Sequence, residues 1–504
     1  MQKTTAENLA ALYANLKKMK FYEHALKIMN FDFETSVPLD SREDEGNVIS
    51  FFSNEHFKLA TSKKMKELTV ALHESVDELD EKDNVLVESM YRDYLKVKNV
   101  TPKTQMRWSQ MFNKAYIDWY NAKNASDFSL FKDSLANVIE ISKEDVALRE
   151  NALPDLYDNL LDDCEEGVLT ADLDAFFAEL KAGLIELIGK IKNSSHVIRE
   201  DFLSRKVPIY KQERFSRYLL ELNGYDFNKG YLTTTEHPFT MDVAENDARV
   251  TTHYYEDMVL SNIYSVIHEG GHAIYEMGNS DEISESNLSG GASCGMHESQ
   301  SRFYENLIGR SRAFTDLVYP VIKELFPEQF ADVTPDAFYR AVNRAEPSLI
   351  RTEADELTYS LHVLIRYEIE KKLLHGELDT KDLPAEWNRL YKEYLGVDVP
   401  NDKAGCLQDS HWSSGSLGYF PSYSLGSAYG AQILAGMKKE LDVDKLVSEG
   451  KISVITEWLR EHIHKYGQLK KPAELLRLST GEDFDPDHYV EYLKDKFGKL
   501  YGIE

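Results

Sequence analysis

The chain has 504 residues, 42% of them apolar and 29% charged, and carries a formal net charge of -28 at neutral pH. That is long enough to bury a large core and, by length alone, to make more than one folding unit. The acidity argues against a nucleic-acid partner, which needs Lys and Arg to neutralise phosphates. No apolar run approaches the ~18 residues of a membrane span, so no membrane partner is expected. Cys164, Cys294 and Cys406 are odd in number and far apart, which fits no disulfide framework and points to a reducing, cytoplasmic setting.

Taken in chain order, Thr4-Thr5-Ala6-Glu7 reads as a capping box rather than the start of a signal peptide, followed by Leu9, Leu12, Tyr13 and Leu16 at helical spacing. Amphipathic helices are predicted to about residue 205, broken near Val37-Pro38, Thr101-Pro102 and Leu153-Pro154. From Gly230 to Tyr255 the chain is rich in Thr, Val, Phe and Tyr around a turn-like Glu245-Asn246-Asp247, the pattern of a β-hairpin or small sheet. Leu260, Ile263, Tyr264, Ile267, Gly271 and Ile274 then mark the buried face of a helix. The adjacent Gly270 and Gly271 each cost that helix about 1 kcal/mol relative to Ala, so a close neighbour, most simply a packed helix, is expected there. A Gly-rich stretch, Ser289 to Gly295, precedes a helix expected near His297. The remainder reads as helical except for an irregular run from about Asp398 to Gly426, long enough to suggest a functional loop.

The helix at 260–274 carries His268-Glu269-Gly270-Gly271-His272, an HExxH pattern. Histidines four apart project from one helix face and can share one metal ion, with the glutamate beside it free to act as a base. Chance alone yields HExxH in about one chain in twenty of this length, so the surroundings must carry the argument. A zinc peptidase site needs a third protein ligand, and Glu298 on the next predicted helix supplies a carboxylate. His297 is its neighbour, but adjacent helical residues point about 100° apart and cannot both reach one ion. Glu269 would then take a proton from a zinc-activated water and pass it to the departing amine. Cutting at a C-terminus also needs a cation for the free carboxylate. Arg249 and Arg351 are both candidates, and either could equally be half of an ion pair. His411, Tyr419 and Tyr423 are possible donors to the oxyanion.

The ordered motifs His237-Pro238-Phe239, Asp247 to Thr251 (DxRxT), His268 to His272, His297 to Gln300 (HESQ), Ile350 to Asp355 (IRxxAD) and Gly405 to Trp412 (GxxQDxHW) resemble the Taq-type, or thermostable, metallocarboxypeptidases of bacteria and archaea. The stretch Gly418 to Gly426 and the region of Thr480-Gly481-Glu482 are similar to that family as well. The resemblance implies a mainly α, two-lobed helical horseshoe with a deep central groove and a small β-sheet, like the neurolysin-type zinc peptidases. It implies a single unit over 1–504, with a helical lobe (1–205), a sheet region (206–256) and a catalytic helical lobe (257–504). By the same resemblance, His268, His272 and Glu298 hold the metal and Glu269 is the base. His237, Arg249, Arg351, His411 and Tyr423 contact the substrate. The cofactor implied is Zn2+, with Co2+ or Mn2+ able to substitute, and the assembly implied is a homodimer. The expected activity is release of C-terminal residues from short peptides with a free C-terminus, with broad specificity. An oligopeptide endopeptidase on the same fold is the alternative, and a catalytically silent peptide-binding protein a more distant one. Three departures from the family pattern touch packing: Phe31-Asp32-Phe33 in place of Trp-Asp-Gln, Cys164 in place of an aromatic, and HEGGH in place of HEAGH.

Overall fold

A computed structural model describes residues 2–503. The first part of the chain is helical: α1 (Lys3–Thr35), α2 (Arg42–Ala60), α3 (Lys63–His73), α4 (Glu81–Val97) and α5 (Pro102–Ala125). It continues with α6 (Lys132–Leu148), α7 (Leu156–Asp162), α8 (Thr170–Lys192) and α9 (Ile209–Asn223). The expected breaks at Pro38, Pro102 and Pro154 all fall between helices. At the second, Pro102 occupies the first helical position and the Thr101 hydroxyl accepts from the Thr104 N–H (3.1 Å), a proline placement that sacrifices no internal hydrogen bond. The expected capping box at Thr4 does not form. Extended Gln2 is the N-cap and helix α1 begins at Lys3, which leaves Thr5 inside the first turn and buried.

The strands β1 (Leu232–Thr234), β2 (Thr240–Ala244) and β3 (Asp247–Thr252) form a sheet in the order β1-β3-β2. The predicted hairpin is β2–β3, turning at Glu245-Asn246, with Thr240 opposite Val250 and Met241 opposite Arg249. Strand β1 adds in parallel to β3. Helix α1 is fastened to this sheet. Lys27 Nζ donates to the carboxylate and the carbonyl of Asp242 (both 2.7 Å), and Phe31 meets Phe239 edge to face at 5.9 Å.

Next come α10 (Val259–Met277), α11 (Asp281–Glu285) and α12 (Cys294–Arg302), the last running directly into a π turn (Phe303–Ile308). They are followed by α13 (Arg312–Leu325), α14 (Pro335–Val342), α15 (Tyr359–Leu374), α16 (Leu383–Tyr394) and α17 (Pro421–Lys438). The chain closes with α18 (Val443–Ser448), α19 (Ile452–His462), α20 (Pro472–Thr480) and α21 (Asp487–Tyr501). The irregular run is shorter than expected. It ends at Phe420 because Pro421 opens α17, so Pro421 to Gly426 are helical.

One continuous apolar core runs from Ala115 to Tyr501. A smaller cluster joins Leu9, Leu12 and Leu16 of α1 to Met65, Leu72, Leu86, Ile283 and Leu288. Helix α10 crosses the main core largely buried; apart from Leu260 and Met277 near its ends, only a narrow stripe through Ser261, Ser265, His268, His272 and Glu276 is partly open. Its glycines make that packing possible. A Cβ at Gly271 would stand 2.8 Å from the Gln300 carbonyl oxygen, and one at Gly270 would stand 2.6 Å from Leu220 Cδ2. On the far side of α12, a Cβ at Gly426 of α17 would meet the Glu298 side chain at 2.8 Å. Helix α12 is therefore clamped between two glycine faces, and the close approach offsets the helix cost of Gly270-Gly271.

Candidate metal centre and active site

The clamp sets α12 against α10 so that His268, His272 and Glu298 converge. Their ligand atoms all lie within 4.8 Å of one another. Glu298 Oε2 is 3.8 Å from His268 Nε2 and 3.6 Å from His272 Nε2. Ligands at about 2.0–2.1 Å from a tetrahedral ion stand roughly 3.3 Å apart, so the three atoms fit a single ion with little movement.

Each ligand is held from behind. His268 Nδ1 is 2.9 Å from Glu305 Oε2, and the π turn is what carries Glu305 back to it. Burial works against the Glu305 charge, but Arg302, His268 and Arg310 together outweigh it and hold the carboxyl well below the usual range. His272 Nδ1 meets His297 Nδ1 at 2.6 Å, and His297 Nε2 meets Glu276 Oε1 at 2.7 Å. A His272 whose Nε2 faces a metal keeps its proton on Nδ1. It donates to His297, which in turn donates to Glu276. Arg302 Nε donates to Glu298 Oε1 at 2.7 Å, leaving Oε2 for the ion. Two imidazole nitrogens and one carboxylate oxygen, all pre-oriented, are a donor set suited to zinc and similar divalent ions.

Glu269 is buried beside this set. Desolvation raises its pKa, while Thr240 at the start of β2 reaches its carboxylate (2.8 Å) and its carbonyl (2.7 Å) and opposes the shift. A buried carboxyl with raised proton affinity suits a group that must gain and lose a proton.

A second polar cluster lies one tyrosine away. The Arg302 guanidinium that holds Glu298 stacks over Tyr359 at 4.2 Å, and Tyr359 accepts from Arg351 Nη1 at 2.9 Å. Arg351 is 6% exposed. It donates to Asp409 Oδ1 through Nε (3.1 Å) and Nη2 (2.8 Å) and lies 4.9 Å from the Tyr423 ring centre. The fully buried Arg366 donates to the other oxygen of Asp409 (2.7 Å). Burial opposes the Asp409 charge, yet Arg366 and Arg351 hold the carboxyl far below its ordinary value. His411 Nε2 is 3.1 Å from the Tyr423 hydroxyl, and burial lowers its pKa to about 4, so the ring is neutral at pH 7. Its Nδ1 is buried without a partner.

The sequence candidates therefore divide. His268, Glu269, His272 and Glu298 come together, as do Arg351, His411 and Tyr423. Arg249 lies elsewhere, on β3, in a bidentate pair with Asp247 (2.9 and 2.7 Å) and over the Phe31 ring. His237 is exposed on the loop between β1 and β2. Glu276, Glu305, Thr240, Asp409 and Arg366 were not among the candidates. Glu276 had a signal, since it follows His272 by one more helical turn on the same stripe. Glu305 is placed by the π turn that continues α12, and Thr240, Asp409 and Arg366 are brought in by distant segments.

Two imidazoles and a carboxylate on a helix pair, with a buried glutamate between them, define a metallopeptidase of the HExxH class. Residues 11–497 match the carboxypeptidase Taq (M32) metallopeptidase family, and the chain belongs to it. Carboxypeptidase 1 of Bacillus subtilis (strain 168) is 41% identical over 490 residues, covering 96% of this chain and 97% of the relative. Thermostable carboxypeptidase 1 of Thermus thermophilus is 37% identical over 428 residues, covering 83% and 84%. Among solved structures, an M32 carboxypeptidase from Deinococcus radiodurans R1 superposes with a TM-score of 0.95 at 32% identity, covering 98% of this chain and all of that one. Pyrococcus furiosus carboxypeptidase gives 0.93 at 32% identity, covering 99% of each. The chain is thus a mainly α metallocarboxypeptidase that acts on peptides with a divalent metal. Among the described residues no helix is long and apolar enough to cross a membrane.

Proposed function

We propose that the enzyme removes C-terminal residues from short peptides with broad specificity, using Zn2+ held by His268, His272 and Glu298. The observation that carries this reading is the convergence of those three ligand atoms beside buried Glu269, with the Arg351 cluster next to them. The metal, when bound, polarises the scissile carbonyl and acidifies the attacking water. Glu269 takes the proton of that water on its carboxylate, shielded from bulk solvent and steadied by Thr240, and returns it to the amine as the peptide bond opens. Glu305, the His297–Glu276 relay and Arg302 keep the ligands aimed throughout, so little reorganisation accompanies the step.

Of the two arginine candidates, Arg351 is the better anchor for the substrate carboxylate. Tyr359 and Arg302 link it to Glu298, whereas Arg249 lies apart on β3, paired with Asp247. Tyr423 stays protonated because burial raises its pKa well above the ordinary phenol. It donates to His411 Nε2, which puts the His411 proton on Nδ1. That unpartnered N–H is a donor for the terminal carboxylate or the oxyanion. The free thiols of Cys164, Cys294 and Cys406 support a cytoplasmic location. The exposed Phe21 and Phe51 on α1 and α2 offer apolar surface that a second copy would cover in a homodimer. Hydrolysis of one peptide with a free and with an amidated C-terminus tests the direction of cleavage. The free form is expected to be cut at least about 100-fold faster, and equal rates would favour an endopeptidase instead.

A further inference from the structure

Two thiols widely separated in sequence meet at the root of the metal-ligand helix. Cys294 is the first residue of α12, and its backbone N–H donates to the Cys164 carbonyl on the turn after α7 (3.1 Å). A backbone bond of that length holds the two Cα atoms about 5–6 Å apart, inside the roughly 4.4–6.8 Å that a disulfide spans. The neighbouring residues are fastened too, since Gly295 N–H donates to the buried carboxylate of Glu165. Both cysteines are partly exposed, whereas Cys406 is buried. Cys164 also lines a surface cavity of about 380 Å³ together with Trp108, Phe112, Leu160 and Tyr419, which opens a path for a small reagent to that side of the pair.

The two sulfurs are not equivalent. Cys294 sits at a helix N-terminus, where the backbone amides favour a thiolate. The neighbouring Cys164 thiol lowers the Cys294 pKa, while Cys294 and burial raise that of Cys164. Cys294 is the attacking sulfur and Cys164 the resolving one.

We propose that Cys164 and Cys294 form a modification site at which a hydroperoxide closes an intramolecular disulfide, stapling the turn after α7 to the start of the helix that carries Glu298. In the first step the Cys294 thiolate attacks one peroxide oxygen. The O–O bond breaks, an S–O bond forms, and the leaving oxygen takes the proton that Cys294 gave up and departs as an alcohol, or as water from hydrogen peroxide. In the second step the Cys164 sulfur attacks the sulfenic sulfur of Cys294. The S–O bond breaks, the S–S bond forms, and the hydroxyl leaves as water with the Cys164 proton. Two electrons pass from the two sulfurs to the peroxide. A low-molecular-weight dithiol reverses the change. Because the backbone bond already sets the spacing, closure requires only side-chain rotation and a small approach of the sulfurs.

The test is intact-mass and peptide-mass analysis of the full-length protein after treatment with hydrogen peroxide. The expected result is a mass lower by about 2 Da, a fall from three titratable thiols to one, a cross-linked peptide joining Cys164 to Cys294, and recovery of all three thiols with dithiothreitol. Cys164→Ser is expected to leave Cys294 without a resolving partner, so that its mass climbs in steps of about 16 Da toward the sulfinic acid. Cys294→Ser is expected to leave Cys164 reduced at the same peroxide dose. Persistence of three thiols at a dose that oxidises free cysteine, oxidation first at Cys406, or a disulfide only between chains would each overturn the proposal.

Discussion

Each of the three metal ligands has its rear atom held by a polar partner, whereas the Arg351–Asp409–Arg366 cluster beside them leaves a buried nitrogen of His411 with none. The first arrangement is complete before any substrate arrives. Its three candidate ligand atoms converge within 4.8 Å of one another. The second sets two arginines against one aspartate and is short of one hydrogen-bond partner, and a buried unpaired polar group costs about 1–3 kcal/mol. In the proposed function that cost is recovered when a substrate oxygen fills the gap. There the first set holds the metal and the neighbouring cluster receives the substrate.

The contrast between the two clusters is tested most severely by cutting into the metal set. Glu298→Ala is expected to lose stoichiometric metal and all measurable turnover. Glu269→Gln should keep its metal while kcat falls about 10²–10⁴-fold. Elemental analysis alongside peptide kinetics separates the two, and a Glu269→Gln protein of full activity would remove Glu269 from the mechanism. Arg351→Met tests the other side. Metal content should stay constant, while kcat/KM on free-carboxylate peptides drops about 100-fold, the scale of a lost charge-assisted pair. On amidated peptides the loss should be small.

A milder change probes the support of the centre. His297→Ala removes the acceptor behind His272, and metal affinity measured by chelator competition should weaken about 10–100-fold with the ligands intact. The smallest effect concerns pH. His464 is fully buried and donates through Nε2 to Gln300 on α12 (2.8 Å). Burial, aided by Arg460 and His297, lowers its pKa to about 3 from the ordinary 6.5. The folded protein keeps it neutral while the unfolded chain protonates it, so its contribution to stability is complete above pH 6.5 and declines as pH falls toward 3. Thermal melts between pH 7 and 4 should show a shallower decline for His464→Gln than for the parent protein.

How much of the molecule could be read from the sequence depends on which signals are local. His268, Glu269 and His272 are spaced by one helical turn, and Glu298 lies on the next helix, so the core of the centre needed only helical periodicity. The Gly270-Gly271 pair foretold a close neighbour, and α12 and Leu220 are that neighbour. The sheet was legible as alternation around a turn, but the parallel addition of β1 was not, because parallel pairing leaves no local mark. Glu305 depends on a π turn that no periodicity announces, and Asp409 joins Arg351 to Arg366 across three separate segments. Arg249 and Arg351 looked alike as motif arginines, and only their surroundings distinguish them. Cys164 and Cys294 looked unrelated for the same reason, since proximity in the fold is invisible in their spacing. The end of the irregular run was legible in principle, because Pro421 is a natural first residue of a helix.

The π turn at Phe303–Ile308 also constrains the length of the chain. A π turn accommodates one more residue than an α-helix would use to cover the same stretch. Deleting Phe303 or Tyr304 would let the stretch relax to the regular form with the flanking turns in place, and would move Glu305 into the preceding position, about 100° around the helix. Glu305 would swing away from His268 while all three metal ligands stayed in the sequence. Such a shortened chain would keep a perfect HExxH…E signature and lose the carboxylate that fixes the first histidine. In this enzyme the number of residues between Glu298 and Ile308 is as much a part of the active site as their identities.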